Sequence, residues 1–131
     1  LSASRHPLVR GYAYICVGTA GRLLGDEERA GLRNRLSAIR ETDTFAKICL
    51  LESLIHLGDE TPAAGLIRMF GRCNYRNQCA ILNSLSDVYP EISRSSQERI
   101  RRFCQELADR DMCAAVQEAY DRLVRFSRHR L

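Results

Sequence analysis

The chain has 131 residues, 45% hydrophobic and 27% charged, with a formal net charge of +4. That length supports one domain with a core of its own, and a charge this mild does not by itself imply nucleic acid. Six cysteines without short paired spacing argue against a disulfide scaffold or a structural zinc site, and no apolar run is long enough to span a bilayer. Periodicity is helical throughout and no segment alternates like a half-buried strand, so the expected fold is all-α, in a single domain spanning 1–131.

Seven helices are predicted. The first runs from Pro7 to Leu24 and closes at Gly25; the second runs from Asp26 to Arg40, its opening Asp26, Glu27 and Glu28 opposing the helix dipole. Asp43 caps a third helix to Leu57, which Gly58 ends, and Pro62 sits in the first turn of a fourth from Thr61 to Arg72. A fifth from Asn74 to Tyr89 is capped by Asn74, a sixth runs from Ser93 to Asp109, and a seventh from Asp111 to Phe126 is capped by Asp111. Cys16, Cys49, Cys79, Cys104 and Cys113 fall inside apolar helical patterns and read as small core residues of a reducing cytosol, whereas Cys73, near a turn, is the thiol expected to be exposed.

These signals recur. Laying "YAYICVGTAGRLLGDEE" from Tyr12 over "FAKICLLESLIHLGDET" from Phe45 matches Ala13, Ile15, Cys16, Leu24, Gly25 and Asp26 with Ala46, Ile48, Cys49, Leu57, Gly58 and Asp59, an offset of 33 residues. "CAILNSL" from Cys79 repeats Leu51, Ser53 and Leu54 at an offset of 31, and "CAAV" at Cys113 follows Cys79 by 34. Periods in this range mean stacked two-helix units, each unable to bury its apolar face alone. If the register is right, Cys16, Cys49 and Cys79 are buried in equivalent positions.

On period and pattern the chain resembles a HEAT-like repeat protein, a right-handed α-solenoid of antiparallel helix pairs. It departs from the common pattern in lacking the proline that often bends the first helix and in its shorter repeat. In such proteins the second helices line the concave face. The resemblance therefore implies one groove holding Arg29, Arg33, Arg68, Arg72, Arg99 and Arg102, which we take as the candidate partner-binding residues. Guanidinium forks suit carboxylate or phosphate, and Glu28, Glu41, Glu98 and Glu106 are the acids placed to compete for them.

Other constellations carry less. His56, Asp59 and Glu60 resemble an acid/base or metal cluster, but the first repeat has the acids without the histidine, so they read as a helix end and the next helix's start. Glu52, four residues before His56, is expected to pair with it on the helix surface. "GTAGRLLG", from Gly18 to Gly25, lacks the lysine and hydroxyl of a phosphate-binding loop; Gly18 and Gly21 read instead as sites of close helix packing. "RLVRFSRHRL" places Arg122, Arg125, Arg128 and Arg130 around an apolar stripe and reads as a capping helix with a basic tail.

The functional reading is a non-enzymatic protein-binding module, with no cofactor or metal and no membrane insertion, located in the cytoplasm. Its most concrete form is a small bacterial immunity protein or antitoxin covering the active face of a toxin with an acidic surface. The alternatives are binding to a nucleic-acid backbone and a fragment of a larger helical scaffold. An architectural similarity to HEAT-like DNA glycosylases implies a groove tryptophan and a catalytic aspartate, and this chain has no tryptophan.

Overall fold

The structure, a computed structural model, describes residues 5–129, with the His129 side chain excepted. The predicted Arg130 of the basic tail lies outside the described residues. Those residues form α1 (Pro7–Gly21), α2 (Asp26–Ser37), α3 (Thr44–His56), α4 (Pro62–Met69), α5 (Tyr75–Val88), α6 (Arg94–Leu107) and α7 (Ala114–His129), with 3-10 turns at Phe70–Arg72 and Tyr89–Glu91 and no strand. None of these helices is long and apolar enough to cross a membrane.

Most helix starts follow the expected chemistry. Asp43 accepts a hydrogen bond from the Ala46 amide and Asn74 from the Asn77 amide, both at 2.9 Å, and Ser93 does the same for Ser96. Asp111 does not cap the last helix: the first helical bond there runs from the Gln117 amide to the Cys113 carbonyl, so α7 begins three residues later than predicted and extends past Phe126 to His129. Gly58 has a φ of +103°, the left-handed conformation that stops α3.

The chain divides into two compact units, Leu1–Pro62 and Ala63–Leu131. In the first, α1 packs on α3 through a face with almost no side chains. Its buried residues are Gly11, Tyr14, Gly18 and Gly21, spaced three and four apart along one stripe. A Cβ placed on Gly18 would lie 2.6 Å from the Ser53 Cα, and one on Gly21 would lie 2.4 Å from a Leu57 methyl. Gly11 meets Phe45 and Cys49 in the same way, so the contacts advance together along both helices and α1 runs parallel to α3. Here glycine trades helix propensity for backbone-to-backbone proximity. Leu36, Leu50, Leu54 and Leu57 complete this core.

One polar knot closes the first unit. Glu41, in the link between α2 and α3, accepts a forked pair of bonds from Arg10 at 2.8 and 2.9 Å, one from the Tyr14 hydroxyl at 2.8 Å and one from the Asp43 amide at 3.0 Å. Its side chain is only 4% exposed. The Arg10 guanidinium is the main cause holding its carboxyl down at about 2, while burial, with the bond to Glu41, pushes the Tyr14 hydroxyl up to about 12.

In the second unit α5 and α7 are also parallel neighbours. Tyr75 and Gln78 lie beside Cys113 and Val116, and further along Arg122 donates to Asn83 at 3.2 Å and to Asp87 at 3.3 Å. The two corners flanking α5 are built alike. In each, a buried aromatic opens a 3-10 turn, an extended residue follows, an Asn or Ser caps the next helix, and a glutamine four residues past the cap reaches back. Gln78 Nε2 donates to the Phe70 carbonyl at 3.1 Å and Gln97 Nε2 to the Tyr89 carbonyl at 2.8 Å. Each glutamine thereby bonds the carbonyl that opens the turn, and that of Phe70 also accepts the Cys73 amide at 3.2 Å.

The cysteines correct several expectations: Cys16, Cys79 and Cys113 are not core residues, Cys73 is not the exposed thiol, and Cys16, Cys49 and Cys79 are not buried in equivalent positions as the repeat register required. Cys49 and Cys104 are buried, Cys73 and Cys79 are half-buried, and Cys16 and Cys113 are exposed. Cys49 is covered because its Sγ abuts Gly11 of α1, whereas Cys16 projects from the side of α1 away from the glycine stripe. Burial pushes the Cys49 thiol up to about 12, so this side chain packs as a neutral small residue.

Candidate partner-binding surface

The six candidate arginines belong to two physically different sets. Arg29 and Arg33, on α2, are engaged within the first unit. Arg29 Nη2 donates to the Leu24 carbonyl at 2.9 Å, and Arg33 Nη1 donates to the Leu57 carbonyl at 2.7 Å. Both are half-buried. Leu24 follows α1 and Leu57 ends α3, so each guanidinium sits where carbonyls lack helical donors and the dipole favours a cation. Arg33→Gln should therefore lower stability by about 1 kcal/mol in urea unfolding; an unchanged midpoint would remove the capping role.

Arg68 on α4, Arg72 on the turn after it, and Arg99 and Arg102 on α6 are exposed and all lie in the second unit. Among the described residues no hydrogen bond or ion pair holds any of the four. Two of the acids expected to compete are occupied elsewhere, since Glu41 takes Arg10 and Glu98 lies 3.9 Å from Arg101. On α6, Arg99, Arg102 and Glu106 follow one another at i, i+3 and i+7, beside the buried stripe of Ile100, Phe103, Cys104 and Leu107. That row lines a shallow depression of about 290 Å³, closed on the α4 side by Ile67 and floored by Phe103. Phe103 is fixed by an edge-to-face contact with Phe70, at 5.2 Å between ring centres.

No family model, curated protein or solved structure matches this chain. The surface is therefore read from its own chemistry: the two guanidinium groups of Arg99 and Arg102, an apolar floor and the Glu106 carboxylate; Arg68 and Arg72 do not line it. Such a site binds anions by forked hydrogen bonds, with the apolar patch excluding water from beneath them.

His56 and Asp59 make separate contacts. Asp59 turns toward the start of α4, where its Oδ1 accepts from the Thr61 amide at 3.1 Å and from the Thr61 hydroxyl. His56 Nε2 lies 3.0 Å from Glu52 Oε2. That pair was expected on the helix surface but is interior, with side chains 5% and 6% exposed, because α3 is buried nearly all round. Among the described residues no group of three or more His, Cys, Asp or Glu is arranged to hold a metal ion.

Sequence reasoning passed over Ile67 as part of this surface. Its signal was present: Ala63, Leu66 and Phe70 form the buried stripe of α4, and Ile67 stands at the edge of that stripe. Apolar residues at such edges become the floor or wall of surface depressions.

Proposed function

We propose that the chain is a non-enzymatic, cytoplasmic protein-binding module of HEAT-like repeat type, its helix pairs continuing as a right-handed α-solenoid. Its partner is a protein with an acidic surface, in the most concrete form a toxin whose active face it covers as an immunity protein. The observation that carries the reading is the pair Arg99 and Arg102 beside the Ile67 and Phe103 patch, with Arg68 and Arg72 exposed in the same unit. Arginine beside desolvated aromatic and aliphatic surface is the composition of protein-interface hot spots. The parallel packing of α1 on α3, and of α5 on α7, supports the repeat, because stacked helix pairs place every second helix in parallel contact.

The test uses the chain and its partner captured from the source organism, with nuclease present. Charge reversal at all four positions to glutamate should weaken capture by about 100-fold, whereas Arg33→Gln should leave it within about twofold. Co-expression with a toxin encoded beside the chain should restore growth, and the reversed variant should fail to do so. Binding that requires nucleic acid and falls steeply with salt would replace this reading with backbone recognition of DNA or RNA. That alternative rests on the same four arginines.

A further inference from the structure

We propose that the groove between α6 and α7 is a binding site for a small amphipathic carboxylate, a short fatty acid or an arylalkanoate. The groove measures about 280 Å³ and is lined by Arg101, Gln105 and Arg128 at its rim, with Cys104, Ala108, Tyr120 and Val124 below. It lies on the side of α6 opposite Arg99 and Arg102, since Arg101, Gln105 and Ala108 follow one another at i, i+4 and i+7. It is thus independent of the protein-docking reading.

Three observations select the ligand chemistry. First, the rim carries two guanidinium groups, those of Arg101 and Arg128. Among the described residues no hydrogen bond or ion pair holds the Gln105 amide or the Arg128 guanidinium, and Arg101 Nη2 lies 3.9 Å from Glu98. Second, among the described residues no carboxylate lines the groove, whereas Glu106, Asp111 and Glu118 line three neighbouring depressions of the same unit. Asp109 and Asp121 act on Tyr120 from outside the lining, and Arg128 opposes them.

Third, the floor is apolar despite its polar residue names. The Tyr120 hydroxyl donates to the Cys104 carbonyl at 2.9 Å and Ser127 Oγ to the Val124 carbonyl at 2.9 Å, so neither donor is free. Burial pushes the Cys104 thiol up to about 11, which keeps it neutral. A head with two acceptor oxygens matches the rim and a short hydrocarbon tail matches the floor. The volume, at the small end of ligand pockets of roughly 300 Å³ and above, limits the tail to a short one.

Octanoate and 1-octanol, which differ in the charged head, separate the possibilities when titrated into the full chain under 1H–15N correlation spectroscopy. Octanoate should produce saturable shifts at amides of residues 101–108 and 120–128, and octanol should bind at least about tenfold more weakly. The double variant Arg101→Gln, Arg128→Gln should cut octanoate affinity by about tenfold or more and leave octanol unchanged. Ala108→Trp, at an exposed position, should block both while the helical circular dichroism stays at the wild-type level. Equal affinity for the two probes, shifts centred outside these two helices, or no shift at all would each overturn the proposal.

Discussion

Gly18→Ala is expected to lower the stability of the chain by about 3 kcal/mol, although alanine is the better helix former by about 1 kcal/mol. The new methyl would lie 2.6 Å from the Ser53 Cα and 3.0 Å from its carbonyl oxygen. Those are backbone atoms and cannot swing aside, so α1 must move away from α3 and open the contacts around Gly11 and Gly21 as well. Gly31→Ala is the matched control: Gly31 lies in α2 with nothing within 4 Å of the added methyl, and it should gain about 0.5 to 1 kcal/mol. Urea midpoints of the two variants should therefore shift in opposite directions. A Gly18→Ala midpoint at or above wild type would mean that the helices do not approach this closely.

Removing the Glu41 carboxylate should be nearly as damaging. Glu41→Ala strands the Arg10 fork, the Tyr14 hydroxyl and the Asp43 amide together, and a loss of about 2 to 3 kcal/mol is expected, against about 1 kcal/mol for Tyr14→Phe. The pH dependence has a definite sign. Because the folded carboxyl is held at about 2, below its usual 4.5, its contribution is complete above about pH 4.5 and disappears as the pH falls toward 2. Allowing for screening at the edge of the unit, about 1 to 2 kcal/mol of the acid loss of the wild type should be missing in Glu41→Gln. Stability measured from pH 6 to pH 3 decides it: parallel curves for wild type and variant would show that the knot does not titrate.

The helices were legible because their ends are written in local chemistry. Asp43, Asn74, Gly58 and Pro62 act within a turn of their own position, and the all-helical character follows from them. The packing role of Gly18 and Gly21 was legible for a related reason: two glycines inside an apolar helix need a physical cause, and close approach supplies it. What escaped depends on partners distant in sequence. Arg33 looks like any surface arginine until the Leu57 carbonyl, 24 residues away, is brought to it. Glu41 resembles an ordinary linker acid until Arg10 arrives from 31 residues upstream. Cys16 matches Cys49 letter for letter, yet only Cys49 lies on the side of its helix that finds a neighbour, so the register that required both to be buried fails at this position.

The two corners around α5 have a consequence for how such chains can be lengthened. Residues 70–78 and 89–97 perform one task with different letters: Phe or Tyr, Gly or Pro, Arg or Glu, Cys or Ile, then Asn or Ser, and glutamine last. In each, the glutamine bond and the cap bond begin and end inside the same nine-residue span, so this part of the bend is carried with the segment. Such a segment is a transplantable joint. Grafted between unrelated amphipathic helices it should impose the same change of direction, with the aromatic as its anchor and the glutamine as its latch.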